Sequence, residues 1–83
     1  MRPAVVVGRG SFPGDLFVAP LTSQIPNCDY PLADWQSAGL NVPSGVKAQL
    51  ATVEERLVLK IVGRLSPADS ANLDQHLRRW LQL

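Results

Sequence analysis

Residues 2–22, RPAVVVGRGSFPGDLFVAPLT, decide the fold because they contain two apolar strands joined by a glycine-rich turn. The β-branched run that ends at Val7 predicts a buried strand, and the glycines after it predict a turn. Residues 15–22 predict a second strand. Its Pro20 should lie at an edge, a bulge or a strand end, because proline has no N–H for a β-ladder.

The middle of the chain predicts a long loop followed by two more strands. Proline and polar residues make residues 23–34 a loop, with one short extended piece at residues 30–32. Residues 35–39 predict a single helical turn ended by glycine. Apolar runs then predict strands at residues 46–53 and 57–62. The chain therefore contains about four strands before its last element.

The last element is a C-terminal helix with a clear start signal. Ser66 is a helix N-cap, Pro67 suits the first helical position, and Asp69 places an acid in the first turn. An apolar stripe at three- and four-residue spacing predicts packing on the chain's own sheet. The stripe consists of Leu73, Leu77, Trp80 and Leu81. The sequence thus predicts a mainly β (α+β) fold with a C-terminal α-helix.

Length and composition limit the protein to one small domain over residues 1–83. Hydrophobic residues make up 46% of the chain and charged residues 18%, which excludes disorder. A domain of this size has little stability in reserve, and oligomerisation is a common remedy. No apolar run approaches the roughly 20 residues of a membrane span, and the N-terminus does not resemble a signal peptide. We expect a cytoplasmic protein.

The chemistry available to the chain is narrow. One cysteine and one histidine exclude a disulfide and a structural zinc site, and we expect no metal and no cofactor. Phosphate-binding loops, dinucleotide fingerprints and serine nucleophile elbows are missing from the sequence. His76 is an ordinary helix residue, Cys28 has no basic neighbour in sequence to activate it, and Asp29 and Asp34 read as turn formers.

One pair of residues stands out as a candidate phosphate site. If the first two strands form an antiparallel hairpin, Arg2 at the start of one lies beside Thr22 at the end of the other. Arginine offers a planar fork of donors to phosphate oxygens, and threonine adds a hydroxyl. Alternatively, Arg2 is a frayed terminal residue and Thr22 caps its strand.

Six blocks of the sequence resemble the MazF/PemK family of type II toxin–antitoxin ribonucleases. They occur in the family's order over nearly the whole chain: RPAVVVG, LFVAPLTSQ, DWQSAGL, PSGVKAQLATVEERLV, GRLSPAD and LRRWLQL. The resemblance implies a small, strongly bent antiparallel β-barrel with a C-terminal helix, of the type shared with the CcdB gyrase poison. It also implies a homodimer, inhibition by an antitoxin, and cleavage of single-stranded RNA within a short sequence.

The resemblance also assigns the site residues. Arg2 and Thr22 match the family's catalytic arginine and threonine, and Lys47 matches a lysine that can contact backbone phosphate. Gln24 is a candidate for reading a base edge, and Arg9 for a further RNA contact. The implied reaction is attack of the RNA 2′-hydroxyl on the adjacent phosphorus without a metal. Alternatively, Lys47 is an ordinary solvated strand residue. Gln24 is then an ordinary polar residue of the loop.

The chain departs from the family pattern at its start. Family members begin with a GD-hydrophobic strand and a polar loop before the arginine that is Arg2 here. We therefore expect either an upstream start or a shortened toxin that completes its barrel by association. This departure keeps open a catalytically weak toxin that only binds antitoxin or RNA. A gyrase poison similar to CcdB is a weaker alternative that rests on fold analogy.

Overall fold

A two-stranded antiparallel hairpin is the centre of the fold in the computed structural model, which describes residues 3–83. Its strands are β1 (Ala4–Arg9) and β2 (Asp15–Thr22). The register pairs the first residue of β1 with Pro20, and a bulge interrupts β1 between Val6 and Gly8. The hairpin predicted from the sequence is confirmed.

Three shorter strands extend this hairpin into a curled sheet. They are β3 (Tyr30–Pro31), β4 (Gly45–Val46) and β5 (Ala51–Glu54). The strand order is β1-β2-β4-β3, and β5 also pairs with β2; every pairing is antiparallel. The result is a half-barrel closed by one C-terminal helix, α1 (Pro67–Trp80). The predicted mainly β class and the bent antiparallel architecture are confirmed.

The predicted continuous strand at residues 46–53 is wrong, and Pro20 provides the reason. Lys47 N donates to the Pro20 carbonyl at 2.9 Å. In a regular antiparallel pair Pro20 would donate in return, but proline has no N–H. The Lys47 carbonyl instead accepts from Gln49 N at 2.8 Å, which turns the chain. The ladder therefore stops, and β5 rejoins β2 further along.

The predicted strand at residues 57–62 is also wrong. A 3-10 turn occupies Glu55–Leu57, and irregular backbone follows it up to α1. Glu55 N donates to the Gly14 carbonyl, and Val58 N donates to the Glu55 carbonyl at 3.0 Å, so the chain turns away from β2. The apolar residues of this segment are exposed. Their strand-like pattern therefore finds no partner strand within residues 3–83.

The helical turn predicted at residues 35–39 is present as a single hydrogen-bonded turn. Ala38 N donates to the Asp34 carbonyl at 3.2 Å. Gly39 ends the turn with a φ of 95°, a conformation in which other residues are strained. A side chain at Gly39 would also collide with the Val62 backbone, where the carbonyl carbon lies 3.0 Å from the Cβ position. Glycine is therefore required at position 39 both for its φ and for the space that a side chain would need.

The core lies between one face of the sheet and α1. Its buried members come from the strands, the loops and the helix: Ala19, Leu21, Tyr30, Leu32, Val46 and Leu73. Leu77 and Trp80 pack against this cluster, whereas Leu81 is half exposed. The helical stripe thus packs on the chain's own sheet, as predicted. Within residues 3–83 there is no helix with the length and apolar character needed to cross a membrane.

Asp69 ties the start of α1 to the loop after β3. Its buried carboxylate accepts from Tyr30 Oη at 2.6 Å, Ala33 N at 3.0 Å and Asp34 N at 2.8 Å. Its own N–H donates to the N-cap Ser66 Oγ at 3.1 Å. Burial by itself would raise the pKa of Asp69, but these hydrogen bonds outweigh burial and lower it.

Candidate functional site

Thr22 ends β2 and lies opposite Gly45 of β4. The Thr22 side chain is half-buried, and its Oγ1 accepts a hydrogen bond from Gln24 N at 3.1 Å. This bond uses one lone pair of the hydroxyl, and no residue from 3 to 83 accepts the hydroxyl proton. Thr22 is therefore held in place as a potential donor to a bound anion.

The start of β1 lies beside Thr22, as the hairpin predicts. Leu21 N donates to the Pro3 carbonyl at 3.1 Å, so the residue before Thr22 pairs with the residue after Arg2. Arg2 itself lies outside the described residues. Its assignment to the site remains a prediction.

Lys47 directly follows β4, and its N–H donates to the carbonyl of Pro20, two residues before Thr22 in β2. By strand alternation Pro20 and Thr22 point to the same face of β2, and a Lys47 side chain in register with Pro20 would lie on that face. This face is opposite the one that packs against α1, which carries Ala19 and Leu21. Lys47 is half-buried and makes no ion pair with another residue among 3–83. Its charge is available to a ligand on this face.

Asp29 fixes the turn that carries Lys47. The Asp29 carboxylate accepts from Ala48 N at 2.7 Å, and Asp29 N donates to the Val46 carbonyl at 2.9 Å. The side chain of Asp34 instead accepts from Ser66 Oγ at 2.7 Å, at the start of α1. The two carboxylates thus bond to groups 19 and 32 residues further along the chain, so each holds a tertiary contact instead of its own turn, and the interpretation as turn formers is wrong.

Gln24 borders an open groove next to Thr22. Its side-chain Oε1 accepts from Asn27 Nδ2 at 2.9 Å across the 3-10 turn Ile25–Asn27. The groove has a volume of about 780 Å³ and is walled on its other side by Val42 and Pro43. The lining combines polar side chains with apolar ones, namely Ser23, Gln24 and Asn27 with Ile25, Pro26, Val42 and Pro43, so it offers hydrogen-bonding groups beside apolar surface.

Arg9 lies away from this cluster. It is at the far end of β1, about 17 Å along the strand from Ala4 at the usual rise per residue. Arg9 Nη1 is 3.5 Å from Glu55 Oε2, and both side chains are exposed. The structure therefore places Thr22, Gln24 and Lys47 in one region and Arg9 in another.

Cys28 is a neighbour of the site that the sequence did not indicate. A Cβ at Gly45 would lie 2.6 Å from the Cys28 Cβ, so the cysteine packs directly over the glycine that faces Thr22. The register of β4 against β2 was needed to see this contact. Cys28 and Gly45 therefore form the surface next to Thr22.

The arrangement is suited to binding a polyanion along one face of the sheet. It offers a fixed hydroxyl, an available cation and an open groove, and polyanions are bound by such donors and charges. Residues 3–83 contain no group of three histidine, cysteine or carboxylate side chains placed to hold a metal ion.

Comparison with known proteins adds one match. The family model described as PemK-like, MazF-like toxin of type II toxin-antitoxin system matches residues 1–81, which include every strand and α1. No curated protein matches the chain.

Proposed function

The chain belongs to the family of PemK-like, MazF-like toxins of type II toxin–antitoxin systems, and we propose that it is an endoribonuclease that cleaves single-stranded mRNA within a short sequence. One observation carries the proposal. The Leu21–Pro3 hydrogen bond joins the strand end that carries Thr22 to the residue that follows Arg2. This pairing supports Arg2 and Thr22 as partners on one phosphate.

In the proposed reaction the RNA 2′-hydroxyl oxygen attacks the adjacent phosphorus. The bond from phosphorus to the 5′-oxygen breaks, which leaves a 2′,3′-cyclic phosphate and a free 5′-hydroxyl. The proton lost from the 2′-hydroxyl balances the proton gained by the leaving oxygen. The displacement itself proceeds without a metal.

Arg2 and Thr22 stabilise the reacting phosphate in different ways. The Arg2 guanidinium stabilises the extra negative charge of the pentacoordinate phosphorane, because it stays protonated at neutral pH. Thr22 donates its free hydroxyl proton to a non-bridging oxygen while Gln24 N holds the hydroxyl oxygen. Both contacts are strongest when charge develops on the phosphate, and such contacts accelerate the chemical step.

Substrate binding involves the surrounding face. Lys47 contacts a backbone phosphate on the Thr22 face, and Gln24 reads the edge of a base in the groove beside it. Arg9 contacts the RNA at a more distant phosphate, where it exchanges its exposed Glu55 partner for the ligand. Surface ion pairs of this type are weak, so the exchange costs little.

The family supports the toxin role and an antitoxin partner, and the other parts of the biological setting are added here as proposals. The toxin acts in the cytoplasm as a homodimer, inhibits growth by degrading mRNA, and is neutralised by a cognate antitoxin that binds it.

An RNA cleavage assay tests the proposal. Purified protein is incubated with mixed-sequence single-stranded RNA, and 2′,3′-cyclic phosphate ends are counted. We expect Thr22→Val to lower the rate about 100-fold, as loss of one transition-state donor does. Thr52→Val on exposed β5 is the matched control and should retain full activity. Full cleavage by an Arg2→Ala, Thr22→Ala double variant would refute the assignment, and RNA bound but uncut by the wild type would favour a binding module.

A further inference from the structure

The side-chain amide of Gln24 is held at its oxygen end. Gln24 Oε1 accepts a hydrogen bond from Asn27 Nδ2 at 2.9 Å, across the 3-10 turn Ile25–Asn27. The backbone closes the same turn, because Asn27 N donates to the Gln24 carbonyl at 2.9 Å. The side-chain contact therefore joins two residues that the backbone already holds together, and it restricts rotation of the Gln24 amide.

The nitrogen end of the Gln24 amide has no such partner. Nε2 has two hydrogens to donate, and no residue from 3 to 83 accepts a hydrogen bond from it. The oxygen and the nitrogen of an amide diverge from one carbon, so an amide held at its oxygen presents its nitrogen on the other side. Because Asn27 uses one lone pair of Oε1, Gln24 offers two donors but only one acceptor to a ligand in the groove that it lines.

Gln24 also connects this groove to the candidate phosphate site. Its backbone N donates to Thr22 Oγ1 at 3.1 Å, and its side chain lines the groove. One residue thus contacts the threonine and carries the amide. A base that pairs with the amide therefore belongs to a nucleotide next to the phosphate that Thr22 binds.

The four bases differ in what they offer to a donor such as Nε2. Guanine O6 and uracil O4 are keto oxygens that accept hydrogen bonds, whereas the corresponding nitrogens, adenine N6 and cytosine N4, donate. The usual pairing of glutamine with adenine needs both ends of the amide, Oε1 for the N6 amino group and Nε2 for N7. The Asn27 contact competes for Oε1, so the donor surplus of Gln24 favours a keto base.

We propose that the groove next to Thr22 selects a keto base, guanine or uracil, at a nucleotide that flanks the scissile phosphate. Gln24 Nε2 donates to the keto oxygen, and Asn27 is the positioning residue that sets this choice by holding Gln24 Oε1. The inference deepens the proposed function and rests on its RNA substrate. It does not depend on cleavage, because the base is selected when the nucleic acid binds.

Fluorescence anisotropy with oligo-deoxyuridine and oligo-deoxycytidine tests the choice without cleavage. The two oligomers carry the same backbone charge, and their bases differ in the keto or amino group and in the protonation of N3. Every register of a homopolymer offers the same base, so the rest of the recognition sequence need not be known. We expect the wild type to bind oligo-deoxyuridine about fivefold more tightly, as one net hydrogen bond provides.

Two variants should reverse this preference. Asn27→Asp has only acceptor oxygens at neutral pH, so it should pair with Gln24 Nε2 and turn Oε1 toward the ligand. Gln24→Glu presents an acceptor directly, and it decides the question if Asn27→Asp does not fold by circular dichroism. Asn41→Asp is the matched control, because it adds the same charge at an exposed asparagine outside the groove lining. It should weaken both oligomers equally and leave their affinity ratio unchanged.

Sequencing of the ends produced from mixed-sequence RNA locates the selected base. The wild type should enrich keto bases at a position flanking the cut, and Asn27→Asp should enrich amino bases there. Equal or tighter wild-type binding of oligo-deoxycytidine, or an unchanged affinity ratio in Asn27→Asp and Gln24→Glu, would overturn the inference. The expected preferences without any RNA cleavage would contradict the proposed function alone, and failure to bind either oligomer would contradict both.

Discussion

The hydroxyl of Tyr30 donates a 2.6 Å hydrogen bond to Asp69 Oδ1, and this contact joins β3 to the first turn of α1 across 39 residues of chain. Two backbone N–H groups complete the set of donors around the carboxylate. A charged group buried away from solvent depends on such donors, because each lost hydrogen bond leaves the group less well satisfied. Asp69 therefore holds the start of α1 against β3 and the loop that follows it.

Asp69→Asn should lower the free energy of unfolding by about 2–4 kcal/mol. The amide has only one acceptor oxygen, so at least one of the Ala33 and Asp34 N–H groups loses its partner. Urea unfolding measures the change. Asp74→Asn is the matched control on the exposed side of α1, where the pair with Arg78 contributes no more than about 1 kcal/mol. Equal stability of the two variants would contradict the role given to Asp69.

Acid should weaken the fold through the same residue. The pKa of Asp69 is lowered in the folded protein, because its hydrogen bonds outweigh the effect of burial. Its contribution is fully present above the unfolded pKa of about 4 and is lost as pH falls through the lower folded pKa. Unfolding measured between about pH 5 and pH 2 should show a steeper loss for the wild type than for Asp69→Asn. Parallel curves would refute this assignment.

Alkali should act through Tyr30 with the opposite sign. Burial and the hydrogen bond to Asp69 raise the pKa of the Tyr30 phenol. The stabilisation is complete below the unfolded pKa of about 10 and disappears as pH rises through the higher folded value. Tyr30→Phe should be less stable at pH 7 by about 1–3 kcal/mol, since Asp69 loses a donor. Its stability should also depend less on pH above about 10, which guanidinium unfolding can measure.

Gly45→Ala, next to Thr22, should lower the free energy of unfolding by about 1–3 kcal/mol. The new methyl group would collide with the Cys28 side chain, and the Tyr30 carbonyl oxygen lies 3.1 Å from the Cβ position. Gly8→Ala is the control, because its nearest neighbour is a Phe17 ring carbon at an ordinary 3.6 Å. Adding Cys28→Gly to Gly45→Ala should restore part of the loss. Thermal unfolding of the four proteins tests this, and an unperturbed Gly45→Ala variant would exclude the proposed contact.

Lys47→Gln should weaken RNA binding without changing its sequence preference. Loss of one phosphate contact should reduce the slope of log affinity against log salt by about 0.7 on a single strand. Anisotropy with an oligonucleotide that lacks 2′-hydroxyls measures binding without cleavage. Arg79→Gln removes the same charge from the exposed surface of α1 and should leave the slope unchanged. Identical slopes for both variants would remove Lys47 from the binding face.

The sequence predicts the parts of the fold that are set by local pattern. The β1–β2 hairpin and α1 follow from apolar runs and from the start signal at Ser66, which the N-cap bond to Asp69 N confirms. The strand predicted at residues 46–53 was wrong because its interruption depends on Pro20, a residue on another strand. The strand predicted at residues 57–62 has the right pattern but no partner among residues 3–83. Pattern alone cannot supply either piece of information.

In the candidate site, too, features set by local pattern could be predicted and features that depend on distant residues could not. The strand-end position of Thr22 and its nearness to the start of β1 follow from antiparallel pairing, and this part could be predicted. The pairing of Lys47 with Pro20 and the packing of Cys28 on Gly45 depend on register, which neighbouring residues in sequence do not reveal. The sequence indicated Asp69 only as part of a helix-start signal. It did not indicate that the carboxylate is buried.

Pro20 thus influences the chain well beyond its own strand. Because it returns no hydrogen bond to Lys47, the lysine leaves the sheet at a bend, and Asp29 holds that bend by capping Ala48 N. Alanine in place of Pro20 would supply the missing N–H donor. We expect β4 then to continue toward β5. Lys47 would then be one more residue of a regular ladder instead of the residue at which the chain turns.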